Sequence, residues 1–386
     1  MDLELEIQAS KRRAIIRTSD RGLFKRCRRK WAWQSGLKGN LCSRVVPEIF
    51  WLGTGLHYAL EDYHGLNYYG GLLRAFDAYY KATKKLSQSE RDAPEFDMTY
   101  EESYELLKGM LKHYERWLYQ RDPLQTYWLD GVPQVEVKFQ IPIPFEADYL
   151  EYDEVVYEGK LDRVTIDEYG GLWIVEYKSA RQFDILKLDT DAQVSAYCWA
   201  GNLIYDRPIQ GVIYQQHRKD VPSPPKLLRS GKFSANKDQL TTWHLYNKSL
   251  RDLYGDPSKA PEDNIICLNH LADLESENHD KYIRRDQAPR NQHQIEAEGF
   301  KIMLELEDML NPNVSCYPNP TFDCSWDCKN FIMPCIMLDS GDDWQPELEA
   351  SNVQREPGDD AWRKYLPTYG ENESWMNSPN EDSGPK

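Results

Sequence analysis

Hydrophobic and polar positions alternate through QVEVKFQIPI (134–143), the period of a β-strand whose successive side chains point to opposite faces. Three further apolar runs rich in β-branched and aromatic residues read as strands: VVYEGKLDRVTI (155–166), LWIVEYKSA (172–180) and IQGVIYQQH (209–217). Between the second and third runs lies DEYGG, with the acidic, glycine-rich composition of a hairpin turn, so those two strands are expected to pair antiparallel. Helical spacing of apolar residues flanks this block, at Gly53 to Leu66, Gly71 to Leu86, Tyr100 to Tyr119, Asp184 to Tyr205, Lys237 to Tyr254 and Asn291 to Leu310. The order of strands, helix, strand predicts an α/β fold. We divide the chain into an N-terminal segment (1–66), a helical insertion (67–130), a core (131–220), a helical region with a cysteine-rich module (221–338) and an acidic tail (339–386).

Alternation along LWIVEYKSA puts Glu176 and Lys178 on one face of a strand, about 7 Å apart. Taken alone, such a pair is usually a solvated ion pair. Here Trp173, Val175 and Tyr177 on the other face are as apolar as Leu172 and Ile174, so the strand is expected to be buried on both sides, and buried charges need partners or a metal. The hairpin brings Asp162 of the preceding strand opposite. Phosphodiester hydrolysis needs a hard divalent cation, an activated water and a positive group near the developing charge, and two carboxylates with a lysine meet those needs.

Composition bounds this picture. With 386 residues, 40% of them hydrophobic, the chain has material for a globular enzyme, and no run of about 18 apolar residues suggests a membrane span. The start, MDLELEIQASKRR, lacks the basic end and apolar stretch of a secretory signal, so a soluble, cytoplasmic protein is expected. The net charge of -16 argues against a polyanionic ligand until its distribution is considered. From Asp339 to Lys386 there are twelve acids and four bases, so this tail alone carries -8. Lys11 to Lys30 holds ten bases and one acid, Asp20. That run is either a solvated helix face or a phosphate-binding patch, with Lys25, Arg26, Arg28, Arg29 and Lys30 the candidate DNA contacts. The tail, poor in periodic apolar residues, reads as disordered, either solubilising or docking a protein partner through Trp344, Trp362 and Trp375.

Four motifs in order give a resemblance to a known family: G-x-G-x-H ending at His57, G-x-x-D from Gly159 to Asp162, E-x-K from Glu176 to Lys178, and Q-x-x-x-Y from Gln193 to Tyr197. The chain resembles the RecB-like PD-(D/E)XK nucleases, which include the CRISPR-associated RecB-type exonucleases and the nuclease domain of AddB. The resemblance covers about Ser19 to Cys335 and implies a restriction-endonuclease-like core that cuts DNA, from ends and on single strands. It implies that His57, Asp162, Glu176 and the backbone carbonyl of Tyr177 ligate Mg2+ or Mn2+, and that Lys178 orients the attacking water. Gln193 and Tyr197, on one helix face, would lie beside the metal and the DNA backbone. The 104 residues between His57 and Asp162 depart from the family pattern and imply an inserted helical layer. A non-catalytic DNA-binding or adaptor protein on the same fold is the rival reading, and the presence of every expected polar residue argues against it.

Cys324, Cys328 and Cys335 form C-x3-C-x6-C, and eight cysteines in a reducing compartment point to metal rather than disulfides. Structural zinc and cubane iron-sulfur clusters both use four cysteines. Iron-sulfur members of the resembled family place one cysteine before the core, in an aromatic and basic stretch like SDRGLFKRCRRKWAW, which makes Cys27 the fourth ligand of a 4Fe-4S cluster. Structural Zn2+ remains the alternative. Cys42 could stand in for Cys27 and Cys316 for one of the three, while Cys198 and Cys267 read as buried thiols.

Overall fold

The computed structural model describes residues 12–44, 48–89, 100–121, 124–186, 188–276, 280–328 and 330–355, together with Arg363 and Leu366. The chain opens with Arg13–Arg17 (β1), Thr18–Arg26 (α1), Arg28–Gln34 (α2) and Leu41–Ser43 (β2), then three long helices, Glu48–His64 (α3), Leu72–Ser89 (α4) and Tyr100–Arg121 (α5). Two-residue strands at Gln125–Thr126 (β3), Trp128–Leu129 (β4) and Val132–Pro133 (β5) lead into Val135–Ile143 (β6), Glu154–Ile166 (β7), Leu172–Ala180 (β8), Ala192–Ile204 (α6) and Ile209–Arg218 (β9). The C-terminal third holds Trp243–Tyr254 (α7), Glu262–Ser276 (α8), Ile283–Pro289 (β10), Gln292–Leu310 (α9), Cys324–Asp327 (α10), Ile332–Ser340 (α11), Gln345–Ser351 (α12) and Asn352–Gln354 (β11).

All four predicted strands form and belong to one mixed seven-stranded sheet running β1-β7-β8-β9-β10, with β3 and β6 also on β7. The expected hairpin is present: β7 and β8 pair antiparallel from Arg163↔Val175 to Ile166↔Leu172. Its turn is held by Asp167, whose Oδ1 accepts the N–H groups of Tyr169 and Gly171 at 2.9 and 2.7 Å, with Gly170 at φ 82°. β8 and β9 run parallel and are joined by α6, a βαβ crossover.

Two apolar cores lie on the sheet's faces. On one side Ile174, Val164 and Val212 pack with α6 and α9; on the other Val175, Tyr177 and Ile213 pack under α3, α4 and α5. Alternate residues of β8 therefore enter different cores, which is why both of its faces carry apolar residues from Leu172 to Val175. The inserted helices cover a sheet face. A third, smaller core of Tyr246, Leu250, Cys267 and Leu271 joins α7 to α8.

Several boundaries differ from expectation. The helix predicted from Asp184 starts at Ala192, because Asp191 caps it by accepting the N–H groups of Gln193 and Val194. That from Lys237 starts at Trp243 behind the Thr242 cap. The tail does not lose structure at 339: α11 runs to Ser340, α12 follows, and β11 pairs with β2 from Asn352↔Ser43 to Gln354↔Leu41. Trp344 stacks on Trp33 at 5.9 Å between centroids. Stacking of this half-buried aromatic pair, with the β2–β11 pairing, holds a stretch whose composition reads as disordered; Trp362 and Trp375 lie outside the described residues. No helix among the described residues is long and apolar enough to cross a membrane.

Candidate active site

Four elements deliver side chains to one place where the two helical layers meet the sheet. β7 supplies Asp162, buried, whose Oδ2 accepts the backbone N–H of Tyr177 at 2.8 Å and whose Oδ1 lies 3.4 Å from His57 Nδ1 of α3. β8 supplies Glu176, 3% exposed, with Oε1 2.5 Å from Lys178 Nζ. α6 supplies Gln193, whose Nε2 donates to Tyr197 Oη at 2.7 Å and to Glu176 Oε1 at 3.4 Å. Residues drawn from all four sequence motifs thus converge, and Tyr177 sits at the site through its backbone. Its ring points away, stacked on buried His64 at 6.1 Å with its hydroxyl 3.4 Å from Arg163 Nη1.

The motif glycines have different causes. A Cβ on Gly159 would lie 2.3 Å from Cζ of Phe139, its cross-strand partner, and one on Gly55 2.9 Å from both Leu107 and Tyr79 where α3 meets α4 and α5. Gly53 meets nothing within 4 Å, and no packing contact explains it.

The electrostatics are those of crowded carboxylates. Burial, then the neighbouring Asp162 charge, push Glu176 up to about 7 against the pull of Lys178. Asp162 is penalised by burial too, yet His57 and the Tyr177 N–H hold it below the ordinary aspartate range. Burial disfavours charged His57, but Asp162 and then Glu136 outweigh it and push the imidazole up to about 10. Burial works against the Lys178 ammonium as well, and Glu176 more than compensates, raising it.

Glu136 was not apparent from the sequence. Its Oε1 is 3.3 Å from His57 Nδ1, its other oxygen pairs with Lys160, and its side chain is 9% exposed. Ligand atoms of His57, Glu136 and Asp162 lie within 4.8 Å of one another, the spacing a cation needs. Glu61, one helical turn beyond His57, is raised first by burial and then by Glu136, so the negative cluster extends along α3. Only the antiparallel register, which sets Glu136 across from Asp162, reveals the residue. Glu176 adds a second observation that fits a cation: its Oε2 is buried and has no hydrogen-bond partner among the described residues. The donor set, carboxylate oxygens with one imidazole, suits Mg2+ or Mn2+.

The cysteines gather around α2. Cys27 separates α1 from α2, and burial, with Cys324 and Cys27 close enough to repel its thiolate, pushes Cys328 up. Cys335 Sγ accepts from Arg29 Nη1 at 3.2 Å. Cys42 pairs with Val353 on β2, Cys316 Sγ lies by the Val314 carbonyl at 3.6 Å, and Cys198 and Cys267 are buried. The basic run is heavily paired with acids. Lys25 meets Glu305 at 3.1 Å, Arg28 meets Asp308 at 3.3 Å, Arg29 meets Asp339 at 2.8 Å, and Arg26 and Lys30 share Asp327.

Comparison with known proteins adds the family. A family described as the PD-(D/E)XK nuclease superfamily matches residues 19–330. No curated protein matches. A solved structure titled "Crystal structure of SSO0001" aligns with 12% identity and a TM-score of 0.18, over 45% of this chain and 61% of that one, less than two thirds of its length. The mixed sheet flanked by helices is that of a restriction-endonuclease-like fold, and with most of its length inside the family match the chain belongs to the PD-(D/E)XK nuclease superfamily.

Proposed function

We propose that this protein is a divalent-cation-dependent deoxyribonuclease that removes nucleotides from the ends of single-stranded DNA. One observation carries the reading. Glu176 keeps a buried, unpartnered oxygen while its other oxygen touches Lys178, and Asp162 and His57 stand beside it. A bound Mg2+ or Mn2+ neutralises phosphate charge and lowers the pKa of the attacking water. Asp162, Glu176, His57 and the Tyr177 carbonyl would hold it. The Tyr177 N–H fixes the Asp162 carboxylate by donating to its Oδ2, and Gln193 Nε2 donates likewise to Glu176 Oε1. Lys178, positively charged at neutral pH, orients the water and faces charge developing on the phosphate. Tyr197 Oη accepts from Gln193 Nε2 and so would hold that amide beside Glu176.

Preference for single strands and ends rests on the family resemblance alone. Of the basic run, Lys25, Arg26 and Arg28 keep the exposure to meet phosphate, whereas the partly buried Arg29 and the buried Lys30 are assigned to the cysteine module. That module, with Cys27, Cys324, Cys328 and Cys335, is read as a 4Fe-4S site with structural zinc as the alternative.

The test uses anaerobically purified protein with Mn2+ or Mg2+ on 5′-labelled, 3′-labelled and circular single-stranded DNA. Lys178→Ala is expected to lower cleavage roughly 10²–10³-fold while leaving Mn2+ binding intact. Resistance of the circle marks an exonuclease. Equal cleavage by wild type and variant would overturn the role given to Lys178, and no cleavage by either would leave a non-catalytic DNA-binding protein as the reading.

A further inference from the structure

We propose that Glu136 is a third carboxylate ligand of the cation, stored against Lys160 until the cation binds; this rests on the metal-dependent reading above and deepens it. The register sets Glu136 between the Val135↔Arg163 and Val137↔Leu161 pairs, across from Asp162, and cross-strand neighbours share a face. Its oxygen accordingly reaches the same His57 nitrogen that Asp162 faces, at 3.3 Å against 3.4 Å.

The backbone shows that this placement is maintained at a cost. Glu136 has φ 50°, inside a strand. The other non-glycine residues with positive φ among those described are Asn40, Asn67 and Asp130, in or beside turns, where short polar side chains tolerate the left-handed region. Glutamate lacks that tolerance, so the conformation is strained. The pair with Lys160 does not offset that strain, because the Lys160 side chain is 43% exposed and ion pairs open to water contribute little. A purely structural glutamate would relax. What the strain secures is a carboxylate oxygen within 4.8 Å of the His57 and Asp162 ligand atoms. Strain of this kind is characteristic of ligand clamps.

Titration of the full-length protein with Mn2+ alone, following free Mn2+ by electron paramagnetic resonance without DNA, tests the assignment. Glu136→Gln is expected to bind Mn2+ at least tenfold more weakly than wild type. Glu136→Gly, which takes the same backbone conformation without steric cost, should lose affinity equally without lowering the Tm of the chelated protein. Wild-type affinity in Glu136→Gln would overturn the proposal. Asp162→Asn separates the two readings: if it loses Mn2+ while Glu136→Gln does not, only the Glu136 assignment falls. If wild type itself binds no Mn2+, the metal-dependent reading falls with it.

Discussion

Glu176 is the residue on which the chemistry and the folding energetics meet. Burial and the Asp162 charge raise its pKa from 4.5 to about 7, so between those values the folded protein holds a proton that the unfolded chain releases. The stabilisation is therefore full below 4.5 and is lost as pH rises through about 7, on the order of a few kcal/mol. In chelator, the wild-type Tm should fall across this window. Added Mn2+, which requires the carboxylate, should restore more stability above pH 7 than below pH 5. Glu176→Gln carries no titrating group there and should flatten the descent. Parallel Tm–pH curves for wild type and variant in chelator would show that the strain at this carboxylate is not what sets the trend. The same crowding holds the half-buried Lys178 charged: its ammonium lies against Glu176.

At the level of elements, the site depends on how closely β7 meets β6 and α1. Phe139 lies over Gly159, and Thr18 Oγ1 stands 2.8 Å from where a Cβ would be. Gly159→Ala should cost about 1–3 kcal/mol through overpacking. Phe139→Leu, which vacates the space, should recover part of that loss in the double variant, a non-additivity measurable by urea unfolding. Strictly additive losses would mean that the glycine serves something other than this ring. The strands and long helices were legible because each combines a period with length: VEVKFQIPI alternates, and the apolar β8 is buried twice. The start of α6 was not, since Asp184 to Leu188 carries helix-compatible residues and only the Asp191 cap decides the boundary. β10, IRRDQAP, is charged and ends in proline, so nothing in its composition announces a strand; pairing with β9 makes it one. Among site residues, Asp162, Glu176, Lys178, His57, Gln193 and Tyr197 are recognisable by motif spacing. Glu136 stands in no motif and is found only through its cross-strand neighbour.

Across the whole molecule, charge is arranged differently from what the sequence suggests. The bases of α1 and α2 pair with acids of α9, α10 and α11, some at the surface and most tightly where buried Arg21 meets Glu298 and Glu305 at 2.7 and 2.6 Å. Much of the basic run is thus spent on holding the two ends of the chain together. β2 and β11 pair on the same side, and Trp33 stacks on Phe331 at 5.7 Å as well as on Trp344. The four cysteines lie along this seam, joining position 27 to positions 324–335. A cluster there would close a loop of nearly three hundred residues, a constraint worth on the order of 5 kcal/mol by the loop-entropy estimate for crosslinks. Ion pairs alone cannot replace that, because most are partly exposed and individually weak. On the proposed 4Fe-4S reading, protein purified anaerobically should contain iron and inorganic sulfide in equal amounts. Cys27→Ser should lose both, lower the Tm, and weaken single-stranded DNA cleavage without abolishing Mn2+ binding at the Asp162 site. Stoichiometric zinc without iron would replace the cluster by a structural zinc site. Retention of iron, sulfide and Tm in Cys27→Ser would remove Cys27 from the ligand set and return Cys42, on β2 of the same seam, to consideration.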